Sequence, residues 1–308
     1  MSIAPFLEAA GWAEATATPL AGDASSRRYT RLSRGAETAV LMQAPVATKA
    51  DHASFDAFRK IGAHLRGQNL SAPKEYAADP TNGLILMEDL GDQTLARLLK
   101  DDAQTAQIAY NATANLLPHL KVHAPPHLAA PDARAMAQMV ALTFDQLPDS
   151  AILRDTLLEA LAEALTTHAP GAPTLSLRDV HAENLLWLPD RDGPARVGLL
   201  DFQDALLLPE GYDLASLLDD PRREVPEVWR ADLIAAHSAP TRIAVLSLQR
   251  NLRILGIFRR LSTTLGKPAY GAFLPRTRTL IARAASDLPP MLAPVTELLD
   301  RTAHWTAP

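Results

Sequence analysis

Residues 176–187, SLRDVHAENLLW, together with residues 198–204, GLLDFQD, decide the fold of this 308-residue chain. Two apolar, strand-like runs at 184–188 and 195–200 are joined by the turn sequence PDRDG at 189–193. This pattern predicts a β-hairpin with a longer turn, set inside a mainly helical region.

Three polar residues accompany this otherwise apolar hairpin: Asp179, Asn184 five positions later, and Asp201 a further seventeen positions on. A hairpin returns its second strand alongside the first, so we expect Asn184 and Asp201 to meet at one edge. Phosphoryl transfer needs one carboxylate that accepts a hydroxyl proton, and an amide oxygen and a second carboxylate that hold Mg²⁺ against the phosphates. Each residue taken singly is also typical of a cap or a turn, but the combination favours the functional interpretation.

The first ninety residues differ from the rest of the chain. Short β-like runs separated by turn residues lie at 29–32, 38–43, 74–77 and 84–88. One helix is predicted over 52–66, because apolar side chains recur there at steps of three and four residues. These side chains are Phe55, Phe58, Ile61 and Leu65. The segment therefore predicts a small antiparallel sheet with one helix packed on it.

From residue 93 onward the pattern is mainly helical. The predicted helices cover 93–101, 103–119, 132–146, 150–168, 211–219, 227–237, 241–264, 276–286 and 291–303. The sequence thus predicts an α+β fold of two lobes. We place a small β-rich N-terminal lobe at 1–90 and a larger helical C-terminal lobe, which carries the hairpin, at 91–308.

The composition narrows the class of protein. Hydrophobic residues make up 47% and charged residues 21%, as in ordinary globular proteins. The chain has no cysteine, which excludes disulfides, cysteine-ligated zinc and thiol nucleophiles. A net charge of −5 argues against non-specific binding to nucleic acid, for which a basic face is expected.

The N-terminal residues lack the basic start of a signal peptide, and Glu8 and Glu14 interrupt any apolar run. The longest uncharged stretch, 103–120, is rich in polar side chains and predicts a soluble helix rather than a membrane span. We therefore expect a cytoplasmic protein with neither a membrane nor a nucleic-acid partner.

Several nucleotide-binding, metal and hydrolase motifs are absent from the sequence. No G-x-G occurs, which argues against a dinucleotide-binding fingerprint, and Leu261 stands where the first glycine of a P-loop ending at Gly266 and Lys267 is needed. The nine histidines show neither H-x-H nor H-E-x-x-H spacing, so a zinc site is not expected. No G-x-S-x-G sequence indicates a serine hydrolase.

The hairpin segment and GYDLA at 211–215 resemble the aminoglycoside phosphotransferase and choline kinase superfamily of kinase-like enzymes. Three stretches are similar, more closely, to bacterial anomeric kinases of N-acetylmuramate and N-acetylglucosamine, which serve peptidoglycan recycling. These stretches are GDASSRRY at 22–29, RVGLLDFQDA at 196–205 and LQRNLRILG at 248–256. The resemblance extends from about Gly22 to Arg260 and implies a protein-kinase-like fold of two lobes.

The resemblance also implies site residues. Asp179 would be the catalytic base, and Asn184 and Asp201 would bind Mg²⁺. The loop over the ATP phosphates would include Gly22, Ser25, Ser26 and Arg27. The hinge between the lobes, whose backbone reads adenine, would be formed by Glu88, Asp89 and Leu90.

Two positions depart from the superfamily pattern. Leu177 and Arg178 replace the His-Gly that often precedes the catalytic aspartate. The strand that usually supplies a phosphate-binding lysine reads AVLMQ at 39–43 and has none. Arg27 or Arg28 could supply the missing cation, since guanidinium groups bind phosphate through two hydrogen bonds. A solvated arginine pair in a turn is an equal alternative.

The predicted helix at 241–264 carries five arginines, of which Arg250 and Arg253 fall on one face. Such a face suits a sugar with a carboxylate, as in N-acetylmuramate, and opposes a polycationic aminoglycoside. His181, Asp204 and Arg250 are candidate sugar contacts. A structural hydrogen bond for His181 and a solvated basic stripe for the arginines stay open.

The sequence therefore favours an enzyme that uses ATP and Mg²⁺ to phosphorylate the anomeric hydroxyl of N-acetylmuramate or N-acetylglucosamine, as a monomer or weak dimer. Two alternatives remain. One is a kinase of another small alcohol, such as an aminoglycoside, an amino alcohol or a different sugar. The other is a nucleotide-binding pseudokinase, which the missing lysine motivates.

Overall fold

A computed structural model describes residues 3–20, 26–121 and 128–305 of the chain. The chain divides into two units. The first comprises Met1–Leu116 and Glu183–Ala205, and the second comprises Leu117–Ala182 and Leu206–Pro308. The two predicted lobes are continuous segments that meet after residue 90, whereas each unit combines two separate segments. The predicted lobe boundary therefore stays a prediction.

The described residues form nine strands and twelve α-helices, each numbered in chain order. The strands are β1 (Thr16–Pro19), β2 (Arg28–Arg34), β3 (Glu37–Gln43), β4 (Glu75–Asp79), β5 (Leu84–Glu88), β6 (Thr174–Ser176), β7 (Leu185–Trp187), β8 (Val197–Leu199) and β9 (Leu206–Leu208). The helices are α1 (Ile3–Ala9), α2 (Lys49–Gly67), α3 (Leu95–Asp101), α4 (Ala103–Leu116), α5 (Ala133–Gln138), α6 (Ala141–Phe144), α7 (Ala151–His168), α8 (Tyr212–Leu218), α9 (Glu227–His237), α10 (Pro240–Thr263), α11 (Leu274–Ser286) and α12 (Pro289–Arg301). Short 3₁₀ turns cover Leu117–Lys121, Gly193–Arg196 and Pro268–Phe273.

The first unit contains a five-stranded antiparallel sheet with strand order β1-β2-β3-β5-β4. The predicted small antiparallel sheet is thereby confirmed. The sequence did not predict strand β1, because all four of its residues are exposed and leave no apolar pattern. In the central strand β3, the four residues 39–42 are all buried, which explains its unbroken apolar run.

Helix α1 was not predicted from the sequence, and it contributes to the core on one face of the sheet. Phe6 of this helix and Trp12 just after it join a cluster of side chains from β2, β3 and β5. The strand members of the cluster are Leu32, Ala39, Leu41, Leu84 and Leu86. Because alternate residues of a strand face opposite sides, Val40 and Met42 belong to the other face.

Helix α2 begins with a capping box. The Thr48 side chain accepts a hydrogen bond from the Asp51 N–H (3.1 Å), and the Asp51 side chain accepts one from the Thr48 N–H (2.9 Å). The four apolar side chains that predicted this helix are all buried, so the predicted face is confirmed.

The second unit is built around α10, which packs against α6, α7, α8 and α11. Every residue from Ile243 to Leu252 is buried, including the polar ones. Close approach to α6 depends on Gly256, whose N–H donates to the Thr143 hydroxyl (3.1 Å). A Cβ at Gly256 would lie 2.5 Å from the Thr143 Cα, so only glycine fits there.

The predicted helices agree with the structure to within three residues at each end, with one exception. The predicted helix at 132–146 is wrong as a single element, because residues 139–140 separate α5 from α6. The break turns Thr143 onto α10, where its hydroxyl donates to the Leu252 carbonyl. The short antiparallel pair of β6 and β9 also lies in this unit. None of the helices in the described part of the chain has the length and apolar content that crossing a lipid bilayer requires.

The contact at Gly256 gives a test of the packing between α10 and α6. We expect Gly256→Ala to lower the free energy of unfolding by about 3 kcal/mol, because the clash is with backbone atoms that cannot move aside. Gly67→Ala is the control, since a Cβ at this helix end meets nothing within 4 Å, and it should be neutral or slightly stabilising. Urea denaturation measures both, and an unchanged midpoint for Gly256→Ala would contradict the packing.

Candidate active site

The predicted hairpin is confirmed: β7 pairs with β8 in antiparallel register, Leu186 opposite Gly198. Just beyond the pair, the Leu200 N–H donates to the Asn184 carbonyl (3.0 Å). Asn184 therefore lies beside the chain position that immediately precedes Asp201. Asp201 has a φ of +56°, in the left-handed region that residues other than glycine rarely adopt. Such strain is kept where the surroundings enforce it, and it is frequent at functional sites.

Backbone hydrogen bonds hold the hairpin on both sides. The Leu199 N–H donates to the Ser71 carbonyl (2.9 Å), and the Trp187 N–H donates to the Gln93 carbonyl (2.8 Å). The Ser71 hydroxyl also donates to the Ala195 carbonyl (2.6 Å). The first unit thus fixes the backbone that leads to Asp201 from both flanks.

Arg27 and Arg28, which the sequence could not distinguish, have different environments. Arg27 is only 8% exposed, whereas Arg28 is exposed. Arg27 Nη2 donates to the Ser54 hydroxyl of α2 (2.8 Å), and its Nη1 lies 3.8 Å from Asp201 Oδ1. The guanidinium also lies over the Phe58 ring, 5.7 Å from its centroid. Arg27 is therefore the arginine that is aimed at the predicted metal ligand.

A cavity of about 360 Å³ in the first unit brings Ser26 and Arg27, two of the predicted phosphate residues, together with Asp201, one of the two predicted metal ligands. Its polar lining consists of Ser26, Arg27, Asp51, Ser54, Asp201, Gln203 and Asp204. Within it, Gln203 Nε2 donates to Asp201 Oδ1 (2.9 Å). Ser54 and Gln203 were missed as site residues: Ser54 has no motif around it, and Gln203 lies inside the quoted stretch at 198–204 without a role of its own. The predicted Gly22 and Ser25 lie outside the described residues.

The three predicted hinge residues lie at the end of β5, in the first unit. Asp89 accepts hydrogen bonds from Arg31 Nε (2.6 Å) and Nη2 (2.9 Å), and from the Gly91 N–H (3.0 Å). Glu88 accepts from Arg191 Nη2 and from the Lys74 N–H. A Cβ at Gly198 of the hairpin would lie 3.1 Å from Leu90 Cδ1. These contacts fix the segment, and the adenine-binding role stays a prediction.

In the second unit, the loop that carries Asp179 is held by Asp213 of α8. The Asp213 carboxylate accepts hydrogen bonds from the Ser176 hydroxyl (2.7 Å), the Leu177 N–H (2.8 Å) and the Arg178 N–H (3.0 Å). Arg178 has a φ of +68°. Burial raises the pKa of Asp213 to about 6, while the three donors lower it. In the sequence, Asp213 was noticed only as part of GYDLA at 211–215, which resembles a segment of the kinase superfamily. In the structure, Asp213 positions the loop that carries Asp179.

Asp179 lies beside a buried ion-pair network. Arg250 Nη2 is 3.0 Å from Asp220 Oδ2 and 4.0 Å from Asp179 Oδ1. Asp220 also accepts from Arg222 Nε and Nη2, both at 2.9 Å. Burial opposes ionisation of Asp220, but the charges and hydrogen bonds of the two arginines outweigh it and hold its pKa well below the usual value. Asp220 was missed in the sequence because its partner Arg250 lies thirty positions away, and Arg222 was missed with it.

The two other candidate sugar residues differ in exposure. Asp204 is exposed and lines the cavity of the first unit. His181 is buried in the second unit, where burial and the charge of Arg222 lower its pKa to about 4. His181 is therefore neutral at neutral pH and does not act as a cation there. With so low a pKa it is also too weak a base to take a proton from a substrate group.

The residues of the first unit fit Mg²⁺ and a polyphosphate. Asn184 and Asp201 offer the hard oxygen atoms that Mg²⁺ prefers, and Arg27 offers a phosphate-binding guanidinium in the cavity that Asp201 lines. No cluster of three or more His, Asp or Glu suited to a metal occurs among residues 3–20, 26–121 and 128–305. Two protein ligands suffice for Mg²⁺, which keeps several waters and binds through substrate phosphates.

Comparison with known proteins identifies relatives over most of the chain. The sequence profile of the family described as "Phosphotransferase enzyme family" matches residues 16–246. An N-acetylmuramate/N-acetylglucosamine kinase of Caulobacter vibrioides is 37% identical, over 97% of this chain and 95% of the relative. A protein of the same name from Pseudomonas aeruginosa is 28% identical, over 94% and 90% of the two chains.

Solved structures confirm the kinase-like fold. The choline kinase LicA of Streptococcus pneumoniae has a TM-score of 0.66 at 14% identity, over 92% of this chain and 98% of that chain. The aminoglycoside phosphotransferase APH(4)-Ia has a TM-score of 0.65 at 14% identity, over 91% and 96% of the two chains. The predicted α+β fold, with a small antiparallel sheet and a mainly helical remainder, is the fold of these enzymes.

The neutral buried His181 predicts a pH dependence of stability. The unfolded chain binds the histidine proton with a pKa of about 6.5 and the folded chain with a pKa of about 4. The stabilisation is therefore complete above pH 6.5 and is lost as the pH falls toward 4, with a total of about 3 kcal/mol. We expect the difference in unfolding free energy between the wild type and His181→Gln to grow by this amount from pH 4 to pH 7.

Denaturant titrations at several pH values measure that difference. Asp213 acts in the opposite direction, because its raised pKa favours the folded state at low pH, but it is present in both proteins and cancels. A difference that stays constant from pH 4 to pH 7 would contradict a neutral His181.

Proposed function

The chain belongs to the phosphotransferase enzyme family, and from that premise we propose that it transfers a phosphoryl group from ATP to the anomeric hydroxyl of N-acetylmuramate, N-acetylglucosamine or both. The observation that carries this proposal is the near full-length similarity to a relative named for these two sugars, at 37% identity. The product would be a sugar 1-phosphate. A role in peptidoglycan recycling in the cytoplasm belongs to the same proposal.

The donor side of the reaction is assigned to the first unit. Asn184 and Asp201 would hold Mg²⁺, which neutralises charge on the phosphates when bound. Arg27 and Ser26, both in the cavity, would bind phosphate oxygens, with Ser54 keeping the Arg27 guanidinium in place. The segment Glu88–Leu90 would contact adenine, as part of a nucleotide-binding lobe at 1–90.

Arg27 would supply the positive charge that a lysine of β3 usually provides. The strand is central and its residues 39–42 are buried, so a cation there would have to be buried as well. Arg27 precedes β2 and brings its guanidinium to Asp201 from a neighbouring segment. The position of Arg27 therefore favours an active enzyme with a substituted cation over a pseudokinase.

The acceptor side is assigned to the second unit. Asp179 would take the proton of the anomeric hydroxyl as the phosphoryl group is transferred. Asp213 would keep the preceding backbone in its strained conformation, and Arg250 would hold the Asp179 carboxylate from one side. His181 and Arg250 stay the proposed sugar contacts of this unit. A neutral His181 suits a hydrogen bond to a sugar hydroxyl.

Phosphorus NMR tests the reaction. We expect a new sugar 1-phosphate resonance when the protein, ATP and Mg²⁺ are mixed with N-acetylmuramate or with N-acetylglucosamine. Asp179→Asn should lower kcat by about two to four orders of magnitude, because the amide cannot accept the proton. The KM for ATP should change little.

One control variant and one contradicting outcome make the result decisive. Asp155→Asn, at an exposed aspartate of α7, should leave the rate unchanged. Unchanged ATP with both sugars would rule out the proposed substrates, and a panel of amino alcohols, aminoglycosides and other sugars would then distinguish another kinase from a pseudokinase.

The two neighbouring arginines give a matched test of the phosphate-binding cation. We expect Arg27→Gln to raise the KM for ATP by about tenfold or more, because a charge-assisted hydrogen bond to phosphate is lost. Arg27→Lys should recover part of this loss, since it keeps the charge but not the fork geometry. Arg28→Gln should stay within about twofold of the wild type, and equal effects of the Arg27 and Arg28 changes would contradict the assignment.

A further inference from the structure

Four arginines of the second unit form ion pairs with two neighbouring buried aspartates. Arg230 and Arg283 pair with Asp219, while Arg222 and Arg250 pair with Asp220. This pattern is expected, because a buried charge is costly unless a counter-ion and hydrogen bonds accompany it.

Arg253 does not follow the pattern. It lies on α10 three residues after Arg250, on the same face, and it is partly buried. Among the residues that the structure describes, none accepts a hydrogen bond from its guanidinium or forms an ion pair with it. Burial lowers the pKa of Arg253 below its ordinary value, and the nearby charge of Arg178 lowers it further. The group nevertheless stays charged at neutral pH.

The surroundings of Arg253 contain more positive than negative charge. Arg178 and Arg250 disfavour its charge, whereas Asp179 favours it. Asp220 does not balance this excess, because Arg222 and Arg250 already share it. Arg250 also has a buried Nη1 with no hydrogen-bond partner among the described residues. Unsatisfied donors of two adjacent guanidinium groups beside Asp179 indicate a binding place for an anion.

The position of Asp179 indicates which of the two substrates carries the anionic group. On the proposed function, Asp179 contacts the hydroxyl that receives the phosphoryl group, so an anion held beside it belongs to the acceptor. Of the two proposed sugars, N-acetylglucosamine is neutral, whereas N-acetylmuramate carries a lactyl ether that ends in a carboxylate. A carboxylate matches the planar fork of a guanidinium.

We propose that Arg253 binds the lactyl carboxylate of N-acetylmuramate and thereby sets the preference of the enzyme between the two sugars. This inference rests on the proposed function and deepens it. It assigns carboxylate recognition to Arg253 because Arg250 is 1% exposed and paired with Asp220. Removing Arg250 would disturb the buried network, whereas removing Arg253 breaks no ion pair among the described residues.

The test is a double-mutant-type cycle, in which the arginine is removed from the protein and the carboxylate charge is removed from the sugar, singly and together. Wild type and Arg253→Gln are assayed with N-acetylmuramate, with its methyl ester, which lacks the charge, and with N-acetylglucosamine. We expect Arg253→Gln to lower kcat/KM for N-acetylmuramate by about ten- to a hundredfold, the range of a charge-assisted hydrogen bond. The value for N-acetylglucosamine should stay within about twofold. The ester should be a poorer substrate than the acid for the wild type only.

Arg260→Gln is the matched control, because Arg260 is exposed on the same helix, and it should change neither substrate. Arg253→Lys should fall between the wild type and Arg253→Gln for N-acetylmuramate. An equal loss with both sugars, a raised KM for ATP, or no change with N-acetylmuramate would overturn the inference.

Failure of the proposed function can be told apart from failure of the inference. If the wild type phosphorylates neither sugar, calorimetric titration with N-acetylmuramate and its methyl ester replaces the kinetic assay. Tighter binding of the acid than of the ester, lost in Arg253→Gln, would support carboxylate binding without the reaction. Equal or absent binding of the two would overturn the inference as well.

Discussion

The hydrogen bonds that Asp213 accepts from the chain just before Asp179 are the interaction on which the second unit's chemistry depends. Arg178 holds a left-handed backbone conformation that costs about 1–2 kcal/mol for a residue with a side chain. Such a conformation persists only where several contacts enforce it, and Asp213 provides two backbone contacts and one side-chain contact. Conversely, a buried carboxylate is costly without donors, and the strained loop supplies them. Each feature stabilises the other, and the direction of the following Asp179 is fixed as a result.

The first unit contains a second strained aspartate. Asp201 also has a left-handed backbone, directly after a hairpin that is hydrogen bonded on both flanks. Gln203 and Arg27 approach the same carboxylate oxygen. Two of the four non-glycine residues with a positive φ in the described part of the chain thus lie at or next to the proposed base and metal ligand. Strain of this kind is frequent at functional positions.

The sequence predicted the elements whose pattern is local. Helix α2 has a four-residue apolar face, and the hairpin has two apolar runs around a turn, so each was predicted within a few residues. Helix α1 and strands β6 and β9 were missed, because their position depends on what they pack against. The predicted site residues followed from resemblance and spacing. The partner of Arg250, which is Asp220, and the partner of Arg27, which is Ser54, could not be predicted. Each lies about thirty positions away, and a contact at that separation leaves no local signal in the sequence.

The substitution of Arg27 for a strand lysine has a consequence for how charge is balanced during the proposed reaction. Arg27 and Asp201 approach each other at 3.8 Å, a long contact that contributes little in a partly exposed site. In the proposed reaction, Asp201 would bind Mg²⁺ and Arg27 would bind phosphate oxygens, so each group would exchange one partner for a stronger one. Neither charge has to be left without a counter-ion at either stage. A strand lysine would need a separate carboxylate to hold it, whereas an arginine that rests against the metal ligand itself does not.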